Sequence, residues 1–165
     1  MSPTATEQFI DVLTGLKSGD LGLLRRHAGQ GLDESVAGFD LFTGLWWPLR
    51  EKNKRAPRRA VAWLIAKLYA FRPLEHSPGD TLARQLRHCQ ARDEREKKRL
   101  QQKFDAMLML PLNQIEPALQ WALDQIAATN GKLDWAKMTD DLSVWEREAT
   151  RQDWAEQFLG DADRR

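Results

Sequence analysis

The sequence predicts an all-helical protein, folded as one compact bundle of about seven to nine helices or as two small sub-bundles packed together. Apolar residues recur at helical spacing along nearly the whole chain, β-branched residues are sparse, and capping residues, glycines and prolines punctuate the pattern. With 165 residues and a single cysteine, the chain is long enough to fill one core without an internal disulfide. We therefore expect one helical domain over residues 1–165.

The first part of the chain predicts two short helices. Thr4 and Glu7 have the spacing of a capping box and predict a helix that runs to about Lys17. A short helix containing Leu24 should follow and end near Gly29. Three glycines are expected to break up the helical pattern after the first helix: Gly15, Gly19 and Gly22.

The next segment is aromatic-rich over residues 39–47 and stops at Pro48. Pro57 then has the position that favours the first turn of a helix, which should reach about Phe71. On a helical wheel, apolar residues occupy one side of that helix, and Ala62, Trp63, Ala66 and Ala70 occupy the other. A helix that is apolar on both sides is expected to be central.

Further helices are predicted beyond residue 76. The stretch 77–80 should cap a helix with Leu82, Leu86 and Cys89 turned inward, and a long helix should run from about Arg92 to Leu110. Its predicted core face consists of Leu100, Phe104, Met107 and Leu108.

The last third of the chain predicts three more helices. One should begin near Pro117 and close at Asn130-Gly131, and Asp134 should cap the next, which starts at Trp135. A final helix is expected to hold Trp145, Trp154 and Phe158.

The formal net charge of +1 conceals parts of opposite sign. Residues 25–103 hold 18 Lys and Arg against 9 Asp and Glu, a balance of +9, whereas residues 104–165 hold 6 against 12, a balance of −6. Residues 1–24 contribute −2. A basic segment attracts phosphates and an acidic one repels them, so the split favours a polyanionic partner for the first part. The alternative is that the solvated faces of an ordinary helical protein happen to differ in charge.

The basic residues form two clusters with definite geometry. On the long helix, Arg92, Arg95, Arg99 and Lys103 fall within an arc of roughly 80 degrees turned away from the Leu100/Phe104 face, with Lys98 nearby. Outward positions are also expected for Arg84, Arg87 and His88 on the preceding helix. The second cluster surrounds the start of the central helix, where free backbone amides also favour phosphate: Lys52, Lys54, Arg55, Arg58 and Arg59. We predict phosphate binding at these clusters, with a merely solvated face as the alternative.

The tryptophans favour packing more than base stacking. Trp46 and Trp47 lie beside the Lys52 cluster, and because neighbours cannot share one helix face, one of them is a candidate for an exposed stacking ring. Trp135, Trp145 and Trp154 lie in the acidic part and are interpreted as packing residues or as a protein interface.

No enzyme signature is present. His27, His76 and His88 lack metal-ligand spacing, and neither the neighbours His88-Cys89 nor the pair Asp140-Asp141 can face one another on a helix. The chain also lacks the apolar run of a signal peptide or membrane span. We predict a non-catalytic cytoplasmic protein with no metal, no cofactor, no small-molecule substrate and no membrane association.

A set of residues in the last third resembles a known family. The series Leu133-Asp134-Trp135, Met138, Asp141-Leu142, Trp145, Arg151, Trp154-Ala155 and Phe158 is similar to the C-terminal signature of the CasB family, the small subunit of the type I-E CRISPR complex Cascade. Upstream resemblances are Leu24-Arg25-Arg26, residues 39–45, residues 62–70 and residues 82–86. The resemblance extends from about Phe9 to Phe158.

The resemblance implies a fold and a role that agree with the charge pattern. CasB-like proteins are all-helical and non-catalytic, and two copies lie beside the backbone subunits and the large subunit of the ribonucleoprotein. There they are thought to hold the region of the crRNA-paired target DNA and the displaced single strand of the R-loop. The residues expected to bind nucleic acid are Arg25, Arg26, Lys52, Lys54, Arg55, Arg58, Arg59, Arg84, Arg87, Arg95, Lys98, Arg99 and Lys103. The alternative is a helical protein–protein adaptor without direct nucleic-acid contact.

Overall fold

The computed structural model describes residues 4–30, 46–47, 50, 57–89 and 93–160. All regular elements of these residues are helical, apart from one isolated parallel bridge between His76 and Leu133. The all-helical prediction is therefore confirmed. The chain divides into two compact units, residues 1–73 and residues 74–165, which are described separately. That residues 1–165 form a single domain stays a prediction.

The first unit contains three described helices, α1 (Ala5–Thr14), α2 (Ser18–Arg25) and α3 (Arg59–Phe71). The Thr4 hydroxyl oxygen accepts a 3.1 Å hydrogen bond from the Glu7 backbone N–H, so the predicted cap of α1 is confirmed. The helix ends at Thr14, somewhat before the predicted limit, because Gly15 caps it.

The prediction that Gly19 and Gly22 interrupt the chain is wrong, because both lie inside α2. A glycine within a helix costs about 1 kcal/mol relative to alanine, which packing of the helix against a neighbour can offset. Here α2 packs against α3 and buries Leu24 completely.

The central position predicted for α3 is confirmed, since side chains on both of its faces are buried from Val61 to Leu68. Two of its side chains bind the turn that follows α2. The Trp63 indole N–H and the Lys67 ammonium donate to the Gln30 carbonyl oxygen at 2.9 and 2.7 Å. These bonds satisfy the buried Lys67 and fix the turn onto α3.

The second unit contains five described helices and a short 3-10 turn at Leu112–Gln114. The helices are α4 (Leu82–Arg87), α5 (Glu94–Leu108), α6 (Glu116–Ala128), α7 (Trp135–Ser143) and α8 (Glu148–Leu159). Helix α4 packs against α6 and α8, and α5 packs against α6. The rings of Phe104 and Phe158 stack with centroids 4.4 Å apart, which joins α5 to α8. None of the helices in the described ranges has the length and apolarity that a membrane crossing requires.

The caps of the second unit follow the sequence closely. Asp134 accepts from the Lys137 N–H at 2.9 Å and caps α7, as predicted. Asn130 adopts a positive φ of 56° just beyond α6, which confirms the predicted end of that helix. Helix α4, however, is capped by Thr81, whose hydroxyl accepts from the Arg84 N–H at 3.4 Å. The predicted cap at residues 77–80 is instead a turn before the helix.

Three tryptophans of the acidic part, Trp135, Trp145 and Trp154, are packing residues. Trp135, Trp145 and Trp154 are at most 3% exposed, so the alternative of a protein interface at these rings is wrong. Each indole N–H has an acceptor within the unit: the Leu74 carbonyl at 2.8 Å, the Leu110 carbonyl at 2.9 Å and the Asp141 carboxylate at 2.8 Å, respectively. Trp145 also lies before α8 rather than on it, because its bond to Leu110 holds it in the preceding turn.

Candidate nucleic-acid interface

The predicted nucleic-acid-binding residues of the first unit that the structure describes lie at helix ends. Arg25 and Arg26 end α2 and are exposed. The Arg25 Nε–H donates to the Ala70 carbonyl oxygen at 3.0 Å, so this guanidinium is attached to the last turn of α3. The side chain of Arg26 has no hydrogen bond or ion pair with another described residue. It is the freer of the two to bind a phosphate.

A second basic group lies at the start of α3. Arg58 is the N-cap residue, Arg59 is the first residue of the helix, and both are exposed. The first turn of α3 contains no acidic residue, so the positive end of the helix dipole and the side chains have the same sign. The remaining members of the predicted cluster, Lys52, Lys54 and Arg55, lie outside the described residues.

Arg84 and Arg87 on α4 are exposed, as predicted, but both already have contacts within the second unit. Arg84 Nη1 donates to the Gly79 carbonyl oxygen at 3.3 Å. The Arg87 guanidinium packs against Gly160, occupying the space where a Cβ at that position would lie. Gly160 caps the C-terminus of α8, whose partial negative charge favours a cation there. Arg87 therefore has a structural role that sequence reasoning did not identify.

Helix α5 presents a group of exposed cations in the second unit. Arg95, Lys98, Arg99 and Lys103 are all exposed. Within the described ranges, no hydrogen bond or ion pair engages the side chains of Arg95, Lys98 or Arg99, whereas Lys97 on the same helix lies 3.5 Å from Glu94. Arg92, which sequence analysis placed on the same arc, lies outside the described residues. The change from basic to acidic composition falls after Lys103, inside this helix, and does not separate two structural units.

The predicted core face of α5 and the predicted direction of its cations both need correction. Phe104, Met107 and Leu108 are buried, but Leu100 is only half-buried. Leu100 lines a cavity of about 320 Å³ together with Arg99 and Lys103, so these cations are not turned away from it. Lys103 borders the apolar face because Met107 follows it by four residues and therefore lies one turn away on the same side of the helix.

The cavity also includes an aromatic ring that sequence analysis did not single out. Trp121 on α6 is half-buried, and the Lys103 Nζ lies 5.4 Å from its ring centroid. This is cation–π distance. The two residues are far apart in the sequence, and only the packing of α5 on α6 brings them together.

Of the neighbouring tryptophans Trp46 and Trp47, Trp47 is the exposed one, at 50%. Trp46 is buried, and its indole N–H donates to the Pro57 carbonyl oxygen at 2.7 Å.

The groups considered for catalysis are dispersed. His76 Nδ1 accepts from the Trp135 backbone N–H at 3.2 Å, which is a structural contact. Cys89 is buried beside the exposed His88, and burial raises the pKa of its thiol, although a hydrogen bond with Thr129 opposes the shift. Such a thiol is protonated at neutral pH and is a poor nucleophile. Asp140 and Asp141 diverge, as predicted: the first is exposed and the second buried.

No three His, Cys, Asp or Glu side chains are grouped as a metal site requires in the part of the chain that the structure describes.

Comparisons with known proteins agree with this fold. The family model for CRISPR-associated protein Cse2 matches residues 20–159. A protein of that description from Thermus thermophilus is 33% identical over 116 residues, which is 68% of this chain and 63% of that protein. The match thus spans slightly less than two thirds of the relative's length.

Solved structures match over nearly the whole chain. The crystal structure of CasB from Thermus thermophilus aligns with a TM-score of 0.73 and 27% identity, over 98% of this chain and 100% of that one. CasB from M. ruber aligns with a TM-score of 0.74 over 96% and 94% of the two chains, but at 21% identity it supports the fold alone. Because the family model covers most of the sequence and the helical fold agrees with it, the chain belongs to the CRISPR-associated Cse2 family.

Proposed function

We propose that this protein is a non-catalytic small subunit of a type I-E CRISPR RNA-guided complex, Cascade, and acts in the cytoplasm. Its basic surfaces bind the nucleic-acid backbone and stabilise target DNA and the displaced strand of the R-loop. Its protein partners are the backbone and large subunits and a second copy of itself. Membership of the Cse2 family supports the CRISPR context, and the charges of the described residues support the nucleic-acid role.

The observation that carries the proposal is the state of the cations on α5. Arg95, Lys98 and Arg99 are exposed and are not engaged by any described acidic group. An arginine that serves a structural purpose is usually held by a carboxylate or a carbonyl, as Arg25 and Arg84 are here. A row of unengaged cations on one helix is typical of a surface that binds phosphates.

The geometry of α5 also limits what one copy can bind. Arg95, Arg99 and Lys103 recur every four residues, or about 6 Å along the helix axis. The row can follow only a few phosphates, so a longer strand needs further clusters or a second copy. Phosphate contacts contain no base information, and in an RNA-guided complex the sequence is read by pairing with the guide. A subunit of this kind therefore needs backbone affinity alone.

The acidic part favours protein partners. Residues 104–165 have a balance of −6, which repels a phosphate backbone. We expect exposed residues of this part to face a second copy or another subunit. Because Trp135, Trp145 and Trp154 are buried, any such contact uses other side chains.

A salt titration of the isolated full-length protein tests the proposal. If about six phosphates are neutralised, affinity for single-stranded DNA should fall with salt at a log–log slope of about −4 to −5, without preference among sequences. A slope near zero would instead favour the helical adaptor, whose charged parts bind only protein.

A further inference from the structure

The cavity between α5 and α6 is suited to more than backbone binding. Its lining combines an aromatic ring, two cations, a carboxylate and several uncharged side chains, all within the second unit. The residues that matter for binding are Cys89, Glu96, Arg99, Leu100, Lys103 and Trp121. A volume of about 320 Å³ is at the small end of the range for ligand sites, roughly 300 to 1,000 Å³. The size therefore favours a compact ligand.

Trp121 supplies the surface on which such a ligand would lie. The ring is half-buried, so packing fixes its orientation while part of it stays accessible. The Lys103 ammonium lies 5.4 Å from the ring centroid and covers this face of the ring, so a ligand can stack there only when the ammonium moves aside. The lysine stem is flexible, so its ammonium can leave the ring for a nearby anion.

The polarity of the lining separates an inner region from a charged margin. Leu100, Trp121 and the protonated Cys89 are buried or half-buried and are apolar or nearly so, whereas the Glu96 carboxylate is exposed at the margin. Arg99 and Lys103 are exposed. The cavity thus combines a largely apolar interior, suited to a base, with a margin at which two cations outnumber one carboxylate, a balance that favours phosphate there.

We propose that this cavity binds one unpaired nucleobase of a single strand, stacked on Trp121, while Arg99 and Lys103 bind the flanking phosphates. The proposal rests on the proposed function and deepens it, because it adds a base-dependent contact to a backbone-binding surface. Every base has a π-face, so stacking on tryptophan tolerates any sequence. The consequence is a preference for single strands, whose bases can be splayed out, over duplex DNA.

Two matched oligonucleotides test the contact without altering the protein. The full chain is titrated at fixed salt with a single strand of mixed sequence and with an abasic strand of the same length. We expect the strand with bases to bind about fivefold tighter or more, the lower limit of what stacking one base contributes. Equal affinity for both strands would overturn the proposal.

Variants then locate the contact. Trp121→Leu should abolish the preference for the strand with bases and leave the salt slope unchanged, whereas Trp121→Phe, which keeps a ring, should retain most of it. Trp47→Leu, at the exposed tryptophan of the first unit, is the control and should keep the preference. Equal loss in the Trp47 and Trp121 variants would contradict a specific site. If the wild type shows the expected salt slope but Trp121→Leu keeps the preference for the strand with bases, this inference alone is overturned. A salt slope near zero in the wild type would count against the proposed function.

Discussion

The indole N–H of Trp154 donates a 2.8 Å hydrogen bond to the Asp141 carboxylate in the interior of the second unit. The same carboxylate accepts a 2.7 Å bond from the Lys137 ammonium. Lys137 and Asp141 both belong to α7. The Asp141 carboxylate therefore connects this helix to Trp154 on α8. Of the acidic pair 140–141, Asp141 therefore has a structural role, whereas Asp140 is exposed.

Replacing Asp141 with alanine should destabilise the protein by about 2 kcal/mol, because the buried Trp154 N–H would lose its acceptor. The control is Asp140→Ala on the exposed side of the same helix, which should change the free energy of unfolding by less than about 0.5 kcal/mol. Urea denaturation of both variants measures the difference. Similar values for the two would mean that the Trp154 contact contributes nothing to stability.

The pH dependence of stability tests the balance at Asp141. Burial raises the pKa of this carboxyl above its ordinary value of 3.8, and the hydrogen bonds from Lys137 and Trp154 only partly oppose the shift. Because the pKa is raised in the folded state, the protonated Asp141 carboxyl is more favourable to folding than the ionised one. This contribution to stability is complete below pH 3.8 and is lost as pH rises through the folded pKa.

The measurement compares the wild type with Asp141→Asn, which does not titrate at this position. The unfolding free energy of the wild type minus that of the variant should fall as pH rises from about 3 to 7. Lys137 stays protonated over this range: burial lowers its pKa, but the hydrogen bond and charge of Asp141 outweigh burial and raise it. A difference that rises with pH would show that the ion pair outweighs burial at Asp141.

Gly160 provides a third prediction, since its φ of 84° and ψ of 176° lie in a region that essentially only glycine adopts. Gly160→Ala should cost about 1–3 kcal/mol and displace the Arg87 guanidinium from the end of α8. Gly19→Ala is the matched control, because Gly19 lies inside α2 with no atom within 4 Å of an added Cβ. That variant should be stabilised by up to about 1 kcal/mol. The same sign for both variants in urea denaturation would contradict this reasoning.

Helix ends were predictable because capping depends on local chemistry. Thr4 and Asp134 cap their helices through hydrogen bonds to residues three positions away, which a single sequence displays. The positions that failed depend on distant partners. Trp145 lies outside α8 because its indole bonds to Leu110, and no local signal reports that contact.

The same distinction applies to the candidate site. The cations of α5 were recognisable from spacing and composition along one helix. Their relation to Trp121 depends on how α5 packs on α6, and the use of Arg87 at Gly160 depends on the packing of α4 against α8. The sequence therefore predicts which cations are exposed. It does not predict which of them remain available to a ligand, because that depends on tertiary packing.

Charge reversal on α5 tests whether the unengaged cations bind DNA. Arg95→Glu with Lys98→Glu changes two exposed residues that do not line the cavity, so stacking on Trp121 is unaffected. We expect weaker binding of every DNA sequence and a salt slope reduced by about two units, one for each phosphate contact. Lys132→Glu with Arg147→Glu changes the charge by the same amount in the acidic part and should leave the slope intact. Circular dichroism verifies that both variants stay helical, and equal loss of affinity would show that only net charge matters.

The most direct measurement is the lifetime of the R-loop in a reconstituted Cascade that contains either of these two double variants. The proposed function predicts that the Arg95/Lys98 variant loads guide RNA normally but releases the opened target DNA faster than the wild type, while the Lys132/Arg147 variant matches the wild type. An R-loop of equal lifetime in all three complexes would contradict the claim that the basic surface of this protein stabilises the bound DNA.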